Sequence, residues 1–89
     1  MSYERFENLA KGQLFRRIMR KGVWRKLPFH KVITEGCTTM SANAERLDTR
    51  EYMIDHLCNE TLVRPLNREE VATFYTQYPV FRKETVHNE

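Results

Sequence analysis

The stretch Gln13-Leu14-Phe15-Arg16-Arg17-Ile18-Met19-Arg20-Lys21-Gly22 decides how the N-terminal half is read. At 100° per residue, Leu14, Phe15, Ile18 and Met19 fall on one apolar stripe. Arg16, Arg17, Arg20 and Lys21 fall on the opposite arc. The spacing predicts an amphipathic helix over residues 13–21. Gly22 would stop it in the left-handed conformation common at helix ends, with Arg20 and Lys21 suited to the negative end of the dipole.

Carried back without interruption, the same wheel puts Phe6, Leu9 and Ala10 on the basic arc. One straight helix would then be apolar on two opposite sides. Either the helix breaks or bends near Gly12, or it is sandwiched between two surfaces; the break is favoured, since glycine costs about 1 kcal/mol inside a helix. The preceding segment reads as a separate helix capped by Ser2, with Glu4 and Glu7 near its positive end.

Further along, residues 23–33 are ambiguous. Val23, Leu27 and Ile33 would suit a short strand, but Pro28 weakens a central-strand reading. Residues 36–43 are small and polar and read as a loop. Asp48 with Glu51 resembles a capping box that opens a helix to about Leu62, with Met53, Ile54, Leu57, Cys58 and Leu62 on one face. Pro65 ends that segment. Asn67 with Glu70 repeats the cap, followed by Val71, Phe74, Tyr75 and Tyr78 at helical spacing and closed by Pro79. The expected fold is mainly α: a small bundle of three to four short helices, with an extended segment near residues 23–33 as an option. One domain over residues 1–82 and a loose polar tail over 83–89 complete the expectation.

With 89 residues, 40% hydrophobic and 30% charged, one small domain is all the chain can build. The longest run without a charge or histidine, Val71 to Phe81, is far shorter than the ~20 apolar residues a spanning helix needs. Charges such as Glu4, Arg5, Glu7 and Lys11 exclude an apolar signal core at the start. Two cysteines make no disulfide scaffold, although a Cys37–Cys58 bridge is open to the chain, and a reducing cytoplasm is the expected setting.

Catalytic and metal chemistry find little support. His30, Cys37, His56 and Cys58 match no zinc spacing, and on a helix His56 and Cys58 would point about 160° apart. His56 and Glu60 read as a solvated surface pair. The three glycines are too scattered to cradle a phosphate. The chain is therefore expected to be no enzyme, with no cofactor, no metal and no small-molecule substrate.

Charge carries the functional expectation. Residues 1–33 hold nine Lys or Arg against two Glu, and residues 34–89 hold six against ten acids. Arg16, Arg17, Arg20, Lys21, Arg25 and Lys26, with Trp24 as a stacking group, would contact nucleic-acid phosphates. Leu14, Phe15, Ile18 and Met19 would hold the basic helix on the body. The alternative is a protein–protein modulator, an inhibitor or adaptor of a nucleic-acid-processing enzyme, that also uses Phe74, Tyr75, Tyr78 and Phe81. Each aromatic has a plainer role in packing, and Trp24 would equally serve as a core anchor. A membrane is not expected as a partner, because nine residues make a short interfacial anchor.

Overall fold

The computed structural model describes residues 2–33, 35, 36 and 38–86. It overturns the mainly α expectation. The chain forms a six-stranded antiparallel sheet with two short helices. In sequence the elements are β1 Glu4–Arg5, a 3-10 turn Phe6–Asn8, β2 Leu14–Arg17, β3 Trp24–Ile33, β4 Thr39–Arg46, β5 Met53–Asp55 and β6 Leu62–Pro65. The helices α1 Arg68–Gln77 and α2 Pro79–Val86 follow. Strand order is β1-β6-β2-β3-β4-β5, so β6 crosses back to insert beside β2.

The expected helix over residues 13–21 is a hairpin. Its first half, β2, lies between β3 and β6, with Phe15 opposite both Trp24 and Pro65 and Arg17 opposite Val63. Adjacent strand residues face opposite sides of a sheet, so Leu14 and Phe15 diverge. Phe15 is fully buried with Phe6, Leu9, Trp24, Ala44, Leu57 and Val63. Leu14 packs on the other side with Val23, Leu47, Leu66 and Phe74. The rest of the supposed stripe lies in the turn, where Ile18 is 49% exposed and Met19 99% exposed. Helix propensity is a weak preference, and two-sided pairing outweighs it here. The wheel conflict at Gly12 has the same origin: Phe6, Leu9 and Phe15 meet on one face of a sheet.

Gly22 does adopt a left-handed backbone, at φ 102°, but it closes the hairpin rather than a helix. A Cβ there would come within 2.2 Å of the Arg46 Nε and 2.7 Å of an Asp48 oxygen. The expected helix from Asp48 does not form. Asp48 instead accepts hydrogen bonds from the Val23 amide at 3.0 Å and Arg46 Nε at 2.8 Å, linking the β4–β5 turn to the β2–β3 turn. The expected helix after Ser2 is replaced by β1 and the 3-10 turn, pinned by Phe6 N donating to the Thr61 carbonyl at 2.8 Å. Residues read as a loop contribute β4, whose small Ala42 and Ala44 are fully buried beneath the covering layer. Between them Asn43 spans to the next segment, donating to the Leu57 carbonyl at 2.9 Å and accepting from the Leu57 amide at 2.8 Å.

The helix after Asn67 is present. Glu70 N donates to Asn67 Oδ1 at 2.9 Å and Asn67 N to Glu70 Oε1 at 3.0 Å, a complete capping box. Phe74 stacks on Tyr78 at 4.9 Å and on Phe81 at 6.1 Å between centroids. Together α1 and α2 roof the Leu14 side. Of the expected tail, the backbone through Val86 is helical, and residues 87–89 lie outside the described ones. Among the described residues no helix is long and apolar enough to cross a membrane.

The sheet separates two residues that the helical stripe would have treated alike. Phe15→Ala should cost about 3–5 kcal/mol in urea denaturation, as expected for a buried aromatic. Met19→Ala should change stability by less than about 1 kcal/mol. Equal losses at both sites would restore the helix.

Candidate binding surface

Strand register disperses the cations that a helix would have gathered. On β2, Arg16 and Arg17 face opposite sides of the sheet. Arg17 lies beside Trp24 and reaches across β3 and β4 to Asp55 on β5, donating at 2.7 Å with its guanidinium 4.7 Å from the Trp24 ring. Burial alone pushes the Asp55 carboxyl up. Hydrogen bonds from Arg17 and from the His56 amide more than offset that and hold it below the usual value.

Arg25 is buried against Glu45, its cross-strand partner, and its guanidinium lies 5.8 Å from the Phe81 ring. Lys26 turns inward. Its ammonium donates to the Phe6 carbonyl at 2.9 Å and the Leu9 carbonyl at 2.8 Å, 4.7 Å from the Phe6 ring. It thus satisfies carbonyls at the end of the 3-10 turn, and burial lowers its pKa. Trp24 is a core residue whose Nε1 donates to the Lys21 carbonyl at 3.2 Å. Its indole is closed to base stacking.

Arg16, Arg20 and Lys21 remain exposed. Arg16 makes a long contact of 3.4 Å to the Gly22 carbonyl and lines a cleft of about 450 Å³ beside α1. Asp48, Glu69, Glu70, Leu66 and Phe74 contribute to the same walls. Arg46 pairs with Asp48 at 2.8 Å, and Arg64 grips both oxygens of Glu70 at 2.9 Å. With Asp48, Glu69 and Glu70 on the same walls as Arg16, the cleft has no surplus of positive charge for a phosphate. Arg20 and Lys21 form no ion pair among the described residues. They share the turn with Ile18 and Met19. Lys31 lies seven residues up β3 from Trp24, about 23 Å along the strand.

Of the aromatic set, Phe74 is buried, while Tyr75, Tyr78 and Phe81 are half-buried against the sheet as part of the helical roof. Among the described residues no group of three or more His, Cys, Asp or Glu is placed to hold a metal. Cys58 is an exposed free thiol and His56 meets the edge of Phe29 at 5.6 Å. Cys37, and with it the Cys37–Cys58 bridge, lies outside the described residues. The helical reading missed two things: the acids that quench the arginines, and the exposure of Ile18 and Met19. The double apolar stripe was the one signal against a straight helix, because it also fits a sheet covered on two faces.

The Arg64 fork and the Asn67 amide hold Glu70 down at about 2, against an ordinary 4.5. A depressed carboxylate stabilises the fold above its unfolded pKa and loses that contribution as pH falls through the folded one. Stability should therefore drop between about pH 4.5 and 2. Urea midpoints of Glu70→Gln should fall less over that window than those of the parent. Parallel curves would remove the pair from the account. In comparisons with known proteins, no family model, no curated protein and no solved structure matches this chain.

Proposed function

We propose that this chain is a non-enzymatic binding protein, an inhibitor or adaptor that acts by gripping another protein. The observation that carries the reading is the internal use of its cations. Arg17 and Arg25 are paired with Asp55 and Glu45, and Lys26 is bonded to backbone carbonyls. Of the positions read as a phosphate-binding ridge, Lys21 and Arg20 are exposed, with the Arg20 charge also acting on Asp55, and Arg16 borders a carboxylate-lined cleft. Proteins that hold DNA through its backbone commonly make 6–10 phosphate contacts. Within that ridge two or three cations supply a small fraction of that, and Arg20 and Lys21 sit beside apolar side chains that a phosphate backbone does not reward.

Protein surfaces reward that mixture, because interface anchors combine apolar burial with charge at the rim. A partner that handles nucleic acid would have to offer an acidic patch away from its cationic channel. The proposal has the protein working in a reducing cytoplasm, where the exposed thiol of Cys58 stays reduced.

At about 50 mM salt, duplex DNA and single-stranded RNA should give no gel shift, while a stoichiometric protein captured from cells of origin should survive nuclease treatment. A shift whose log affinity falls by about 4 or more per log unit of salt would return the function to phosphate binding. Capture abolished by nuclease would do the same.

A further inference from the structure

The β2–β3 turn holds a residue that the folded chain does not explain. Met19 adopts φ 59°, the left-handed conformation that side chains bearing a Cβ rarely enter. Glycine or asparagine would sit there with less strain. Nor does packing account for it, because the side chain is 99% exposed. Its neighbour Ile18 is half out in water, and Arg20 and Lys21 follow with no ion pair among the described residues. The turn itself is firmly held. Gly22 sits tightly against Arg46 and Asp48, Asp48 accepts from the Val23 amide, and Trp24 Nε1 donates to the Lys21 carbonyl. A rigid base thus presents two adjacent apolar side chains and two cations on a convex tip.

Strained backbone supported by a fixed surround is a feature of ligand-contacting segments. We infer that this tip is a plug. Met19 and Ile18 enter an apolar socket on a partner protein, and Arg20 and Lys21 pair with carboxylates on its rim. The inference rests on the protein-binding reading and adds the site and the partner's chemistry. Charge complementarity makes the socket acidic. Methionine suits such a role because its flexible, polarisable thioether adapts to irregular pockets. A lipid surface is less well served: two apolar residues give little insertion, and stable interfacial anchoring takes a longer apolar face or a second signal.

Variants of the 89-residue chain separate these statements. Binding to the purified captured partner is measured by calorimetry, with stability read from urea midpoints. Met19→Gly should raise the midpoint by relieving the backbone, yet weaken binding at least tenfold. The double variant Arg20→Glu, Lys21→Glu should weaken it similarly, and reversing the partner's rim carboxylates to lysine should restore it. Val80→Ser, at an exposed apolar position on α2, should leave affinity unchanged. If capture persists but the tip variants bind like the parent, the plug is wrong and the protein-binding reading stands. If no protein is captured, both fall. If the tip variants instead abolish binding to phosphatidylglycerol vesicles and no socket protein is found, the partner is a membrane and the inference is overturned.

Discussion

Everything in this fold follows from the need to bury Leu14 and Phe15, adjacent residues on a strand, at the same time. Their side chains leave β2 in opposite directions, so the sheet must be covered on both faces. The α1–α2 roof meets the Leu14 face. The 3-10 turn with Phe6 and Leu9, and the segment through Leu57, closes over Phe15. A chain of 89 residues has few apolar side chains to spare for two layers, and small Ala42 and Ala44 let one layer lie close. Strand β6 then has to return beside β2, because an edge position would leave Phe15 half open.

The same constraint governs the charges. Once residues 16, 17, 25 and 26 lie on strands, they alternate between faces, and Arg17 and Arg25 meet acids brought from distant sequence. Arg17 finds Asp55 and Arg25 finds Glu45, while Arg64 grips Glu70 six residues along. Each pair is partly shielded from water, and an arginine left there without its carboxylate would be costly. Two arginines of the basic half are thus committed to acids of the other half. Arg20 and Lys21 lie beyond these strands in the turn, where the strand pattern ends and the requirement for partners lapses.

Parts of this were legible in the residues. Asn67 with Glu70, followed by Val71, Phe74, Tyr75 and Tyr78, specified α1, because the cap and the apolar spacing are both local. The extended option for residues 23–33 corresponds to β3, and Pro28 falls where the register with β4 shifts between Lys26 and His30. The hairpin was not legible as such. Leu14-Phe15-Arg16-Arg17-Ile18-Met19 satisfies a helical wheel, and a strand buried on both sides lacks the alternation that would identify it. Asp48 with Glu51 imitates a cap, and only the nearness of Val23 and Arg46 decides where the carboxylate goes. Strand β4 hides behind Thr, Ser, Asn and Ala because its work is to be thin. At the site, the cations were found but not their neutralisation, which depends on pairings 20 to 38 residues apart.

Amide hydrogen exchange through residues 13–26 distinguishes a paired strand that ends in an exposed, partner-ready turn from a continuous helix. The account predicts slow exchange in β2 and at the start of β3, with residues 18–21 exchanging almost at the rate of an unfolded chain. Continuous protection from residue 17 through 21 would mean a helix. The turn, its free cations and the plug would all go with it.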